Sequence, residues 1–204
     1  MDKFVVSVAD ASQVHFAQEI CDLIADSAAK RGTGIARRTE EYIQTKLTEG
    51  KSVIAVTKTG KLAGFCYIET WGHGKYVANS GLIVHNDYRN NGLAFAIKAR
   101  AFKLSREKYP DAKLFGLTTS MAVMKINSDL GYRPVVFSEL TDDESFWKGC
   151  SSCVNYDILT RKDRQHCLCT GMLYDPEDKK RKWKQRGKMI QEKLMKWKSK
   201  VEVK

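Results

Sequence analysis

A chain of 204 residues with 43% hydrophobic content can bury one sizeable core, and no apolar run approaches the about 20 residues of a membrane span. The net charge of +11 is mostly a tail: residues 179–204 hold 12 Lys or Arg against Glu192 and Glu202, which leaves +1 for residues 1–178. The opening MDKFVVSVADASQ is too polar for a secretory leader, so the expectation is a cytoplasmic protein whose six cysteines are thiols or metal ligands rather than disulfides.

In chain order, FVVSV predicts a strand, and Asp10 with Gln13 three residues later resembles a capping box before a helix whose face is Phe16, Ile20, Leu23, Ile24 and Ser27. The loop KRGTGIARR leads into a short helix from about Thr39 to Leu47. SVIAVT, LAGFCYIET and YVANSGLIVH, separated by KTGK and WGHGK turns, predict an antiparallel meander. The polar turn HNDYRNNG then opens a helix in which Leu93, Ile97, Ala101 and Leu104 form the apolar face, while Lys98, Lys103 and Arg106 fall largely on the other side. KLFGLTT predicts a strand, SMAVMKINSDLG a helix ended by Gly131, and YRPVVFSEL another strand; CLCTGMLYD reads as the last one.

The turn after the fourth strand ends at a helix N-terminus, where unpaired amides and the positive end of the macrodipole suit a phosphate. The GKS at Gly50–Ser52 is no phosphate-binding P-loop, because Thr45 stands where the first glycine belongs and a strand follows instead of a helix. Arg89-x-x-Gly92-x-Ala94 is similar to the R/Q-x-x-G-x-G/A signature of the GNAT N-acetyltransferases, whose loop grips the pyrophosphate of acyl-coenzyme A. The order β-α-α-β-β-β-α-β-α-β, with the loop after the fourth strand, resembles that family as well. The resemblance implies an α/β GNAT fold, a mixed and mostly antiparallel sheet flanked by helices, over residues 1–178.

Three further stretches resemble the acyltransferase domain of N-acetylglutamate synthases: Gly34-Ile35-Ala36-Arg37-Arg38-Thr39-Glu40, Val84-His85-x-Asp87-Tyr88-Arg89, and Leu114-Phe115-x-Leu117-Thr118-Thr119. They imply an acyl-CoA-dependent N-acyltransferase with acetyl-CoA or succinyl-CoA as donor and a small-molecule amine as acceptor, glutamate first. The same chemistry on a polyamine or a protein N-terminus is the alternative, and a nucleic-acid-associated protein on a GNAT-like scaffold is a reading of another class. Feedback control through the kinase domain found upstream in many such synthases is not expected, and Ser120 stands where they usually carry Arg.

By this resemblance Arg89, Asn90, Asn91, Gly92, Leu93 and Ala94 hold the pyrophosphate, and Leu82, Ile83 and Val84 run beside pantetheine. Arg37 and Arg38 offer forked donors for the acceptor's carboxylates, with Thr119 and Ser120 beside them. Where many relatives place a basic Glu, the fourth strand offers only Asn79 and Ser80, so a water held by these or by Glu69 becomes the base. A Tyr frequent in the family falls at Asn127 here.

Cys150-x-x-Cys153 and Cys167-x-Cys169 form a Cys-rich segment over 145–172 that suits a structural zinc; the alternative is four free thiols, two of them in the last strand. The basic tail, 179–204, carries a narrow apolar stripe, Trp183, Leu194, Trp197 and Val201, expected to pack on its own domain or to stay solvated, ahead of contact with nucleic acid or a membrane. A homodimer is a further expected assembly.

Overall fold

The computed structural model describes residues 4–31 and 38–178. The chain divides into two units, Met1–Tyr174 and Asp175–Lys204. Of the second unit only 175–178 are described, a helix start at which the Glu177 amide donates to Asp175 Oδ1 at 2.9 Å; the apolar stripe of the tail lies outside the described residues.

The first unit holds strands β1 (Phe4–Val8), β2 (Ser52–Thr57), β3 (Leu62–Trp71), β4 (Tyr76–Val84), β5 (Lys113–Thr118), β6 (Arg133–Val135) and β7 (Thr170–Tyr174). Its helices are α1 (Ala17–Arg31), α2 (Glu40–Thr48), α3 (Leu93–Lys108), α4 (Met121–Asp129), α5 (Glu144–Lys148) and α6 (Tyr156–Arg161). The strands make one mixed sheet in the order β1-β2-β3-β4-β5-β7-β6. β2 to β4 are the expected antiparallel meander, β1 adds to it antiparallel along β2, β4 and β5 run parallel, and β7 inserts between β5 and β6. None of the described helices is long and apolar enough to cross a membrane.

Helix starts follow local chemistry. Thr39 caps α2 and Ser120 caps α4 through their hydroxyls. The Asp10–Gln13 capping box forms, but it caps a 3-10 stretch, Ala11–Phe16, that leads into α1. The strand expected over YRPVVFSEL shrinks to three residues, followed by a 3-10 turn at Phe137–Glu139. Pro134 has no N–H to donate, which suits β6 to the outer edge it occupies.

One face of the sheet is covered by α3 and α4, with Val53, Cys66, Val77, Ile97, Ala101 and Leu114 in its core. On the other face α1 and α2 seal Ile20, Ile24, Ile43 and Leu47 against Ile54, Phe65 and Ile83. Beside them the α5–α6 segment buries Phe115, Trp147, Leu159 and Leu173. Lys98 departs from expectation. It is 2% exposed, not on the solvent side of α3, because it flanks Ala101 and Ser105, which also pack inward.

Candidate active site

β4 and β5 pair only through Tyr76–Lys113, Val77–Leu114 and Ala78–Phe115; past Ala78 no described strand continues on that edge of β4. The cause lies in β4 itself. Phe65 faces Ile83 while Tyr67 faces Ser80, so β4 carries one extra residue, a bulge that re-aims it. Gly81 occupies the bulge at φ +64°, and a Cβ there would lie 2.6 Å from Tyr67 Cε1, so a side chain is excluded twice over. The gap opens into a cleft of about 260 Å³, walled by Ser80, Gly81 and Leu82 on one side and Gly116, Leu117 and Thr118 on the other. Residues from both faces of the sheet line it, so the cleft passes through the sheet.

On the α1–α2 face, Tyr67 and Glu69 project together, two residues apart on β3, and meet Tyr42 and Lys46, four apart on α2. Lys46 Nζ donates to Glu69 Oε1 at 2.7 Å and the Tyr42 hydroxyl donates to Glu69 Oε2. Burial pushes the Glu69 carboxyl up to about 7, against the pull of Arg38; the same burial lowers Lys46 below the ordinary lysine value. A carboxyl poised near neutrality in a cleft has the proton affinity a general base needs. Arg38 lines the cleft, its Nε donating to the Tyr67 hydroxyl at 2.8 Å and its guanidinium lying 5.2 Å from the Tyr42 ring centroid. Sequence reasoning picked out Arg38 and Glu69 but missed Tyr42, Lys46 and Tyr67. The i, i+2 spacing on a strand and the i, i+4 spacing on a helix were the available signals. Arg37 lies outside the described residues.

At the end of β4 the chain turns through Arg89–Gly92 into α3. Asn90 at φ +64° and Gly92 at φ +72° both take left-handed backbone. The first paired helix amide is that of Ala96, which donates to Gly92 O at 3.2 Å, so the amides of Leu93, Ala94 and Phe95 have no carbonyl within the helix. Nothing lies within 4 Å of a Cβ built at Gly92, so the loop is open to an anion. Arg89 Nε donates to Val84 O at 3.3 Å, and Asn91 Nδ2 donates to Arg89 O at 3.2 Å, which braces the turn from inside.

The remaining candidates divide by where the strand points them. Leu82 and Ser80 line the cleft, whereas Ile83 and Val84 are core residues on opposite faces. Asn79 lies at the apex of the gap, but its amide is committed to the interior: Nδ2 donates to Ser105 Oγ at 2.8 Å and Oδ1 accepts from the Tyr132 hydroxyl at 3.1 Å. That leaves Glu69 as the carboxylate of the group named as base. Thr119 and Ser120 turn the chain into α4; the Ser120 hydroxyl is spent on the Val123 amide, and Thr118 lines the cleft in their stead.

The Cys-rich segment forms the far wall. Phe146 packs on Trp71 and Phe115 at centroid distances of 5.5 and 4.8 Å, and just before the segment Asp143, the N-cap of α5, accepts the Gly72 amide through Oδ2 at 2.9 Å, which ties the start of α5 to the β3–β4 turn. Cys150, Cys153, Cys167 and Cys169 all line the cleft. The zinc expectation does not carry over: among the described residues no group of three or more His, Cys, Asp or Glu is arranged to hold a metal ion. The thiols make other contacts instead. Asn155 donates its amide to Cys153 Sγ at 3.4 Å and its carbonyl accepts from Cys167 Sγ at 3.9 Å. Burial pushes Cys150 to about 11 and Cys169 to about 12, so both are neutral thiols at neutral pH.

Comparison with known proteins agrees with this geometry. The sequence profile of the acetyltransferase (GNAT) family matches residues 17–124. No curated protein matches the chain. Among solved structures, N-acetylglutamate synthase from Neisseria gonorrhoeae, complexed with coenzyme A and N-acetyl-glutamate, is similar at TM-score 0.60 and 16% identity over 86% of this chain. The chain spans only 35% of that synthase's length. A Mycobacterium tuberculosis protein in complex with CoA and NLQ is similar at TM-score 0.59 and 18% identity, covering 84% of this chain and 98% of its own. Diaminobutyrate acetyltransferase from Paenibacillus lautus, with its substrate L-2,4-diaminobutyric acid and coenzyme A, reaches TM-score 0.56 at 10% identity over 86% of this chain and 96% of its own. At these identities the likeness is one of fold.

Proposed function

Because the chain belongs to the acetyltransferase (GNAT) family, which makes it an acyl-CoA-dependent N-acyltransferase, we propose that its acceptor is the α-amine of glutamate or a similar amino acid. The observation that carries this reading is that Arg38 and Glu69 line the same cleft from the α1–α2 face. A guanidinium braced by Tyr67 offers forked donors to an acceptor carboxylate. A carboxyl held near 7 takes a proton from the acceptor's ammonium group, directly or through one water.

The donor's phosphates belong at the open N-terminus of α3, where three unpaired amides and the helix dipole meet them. From there the unpaired edge of β4 leads the acyl arm past Leu82 to the gap. The freed amine attacks the thioester carbonyl, the C–N bond forms, the C–S bond breaks, and the thiolate leaves with the proton the solvent or the site returns to it. No enzyme nucleophile is needed, and the neutral thiols of the far wall fit a passive lining.

A second acceptor class has its own support. Glu69 and the rings of Tyr67 and Trp71, which line the cleft, also suit a second cationic amine, such as a diamino acid. Release of thiol from acetyl-CoA, measured with glutamate, 2,4-diaminobutyrate and a polyamine, decides between them. Glutamate ahead of the others, with that preference lost in Arg38→Ala, supports the proposal. A polyamine ahead of glutamate rejects it and leaves the acyltransferase chemistry standing.

A further inference from the structure

Lys98 is the most buried cation of the cleft, and the site described so far does not use it. It lines the cleft from the α3 side, opposite Arg38 and Glu69. Its Nζ donates only to Asn79 O, at 3.4 Å, and lies 5.5 Å from the Tyr132 ring centroid. Among the described residues no carboxylate pairs with it, and two of its three N–H donors have no partner. A second buried polar group lines the same cleft. Asn127 on α4 is 2% exposed, and its Oδ1 has no hydrogen-bond partner among the described residues. Turned over, that amide presents N–H donors at the same place.

A buried ammonium without a counter-charge is costly, and an anion entering the cleft offsets that cost. The path of the donor says which anion. Arg89, at the phosphate end, holds Val84 O, and Lys98 reaches Asn79 O five residues back along the same strand. That is roughly 17 Å of β4 edge, at about 3.3 Å per residue. The acyl end of a donor laid along this edge therefore arrives beside Lys98, on the face opposite the acceptor's Arg38. Burial also lowers Lys98 to about 8, and a bound carboxylate would raise it again.

Building on the acyl-CoA reading, we propose that Lys98, with Asn127 lining the same cleft, forms a subsite for a carboxylate on the acyl group, so that the donor is a dicarboxylic acyl thioester of the succinyl type. Gly116, where a Cβ would meet nothing within 4 Å, leaves room across the gap for the longer chain.

The test is binding to the purified full-length protein by titration calorimetry, with no acceptor needed. Coenzyme A, acetyl-CoA and succinyl-CoA are titrated onto the wild type and onto Lys98→Met and Lys98→Arg. The expected result is succinyl-CoA tighter than acetyl-CoA by about tenfold or more in the wild type, the size of one charge-assisted hydrogen bond. Lys98→Met closes that gap and leaves coenzyme A unchanged, and Lys98→Arg keeps part of it. Equal binding of the two thioesters to the wild type overturns the proposal even if Lys98→Met fails to fold. So does an equal loss for all three ligands in Lys98→Met, the mark of a structural lysine. A variant that instead weakens glutamate binding to the coenzyme A complex moves the carboxylate to the acceptor and rejects the donor assignment. Failure of coenzyme A itself to bind the wild type overturns the acyl-CoA reading beneath it.

Discussion

At the scale of single residues, the chemistry turns on where burial has moved a proton. Glu69 at about 7 is protonated below neutrality and a base above it, so turnover should rise with pH through about 7. Glu69→Gln removes that limb, and a lost general base should lower kcat by roughly 100-fold or more; a pH–rate profile of the variant that keeps the same rise shows that another group titrates. Arg38→Ala should cost about 1.5 to 3 kcal/mol of glutamate binding in the transition state, roughly 10- to 100-fold in kcat/KM, with the donor's KM unmoved. Arg38→Lys restores charge without the fork, so its kcat/KM should fall between the two. At Gly92, aspartate adds a negative charge and a side chain at φ +72°, so Gly92→Asp should raise the donor's KM at least tenfold. An unchanged KM there removes the phosphate assignment.

At the scale of elements, the site exists because β4 is one residue longer than its register with β3 requires. The bulge turns the end of β4 away from β5 and leaves an unpaired edge where a regular strand would have closed the sheet. Gly81→Ala tests this directly, since the new Cβ meets the Tyr67 ring and the backbone stays in left-handed space. We expect a loss of about 1 to 3 kcal/mol, or a fall in Tm of roughly 2 to 12 °C by thermal melting, together with weaker glutamate use because Tyr67 positions Arg38. A variant with wild-type Tm and activity would mean that the bulge tolerates a side chain. The bulge was not legible in YVANSGLIVH, which reads as one continuous apolar strand. Its glycine was the only mark of a break.

At the scale of the whole molecule, the described elements and most of the net charge lie in different parts of the chain. Every described strand, and each helix from α1 to α6, lies within the first unit, while residues 179–204 carry +10 of the +11. A chain ending at Asp178 should fold and bind coenzyme A as the full chain does, yet lose its retention on a cation exchanger at neutral pH; loss of coenzyme A binding on truncation would make the tail part of the enzyme. The element order through β6, the turn that opens α3 and the Asp10–Gln13 capping box were readable from the sequence, because each depends on contacts within a few residues. The partners of Glu69, the inward turn of Lys98, the sequestered amide of Asn79 and the place of β7 between β5 and β6 were decided only by tertiary structure. Each of those depends on which distant segments meet, and burial then sets the charge state. A lysine at the margin of an apolar stripe reads as solvated until a strand closes over it.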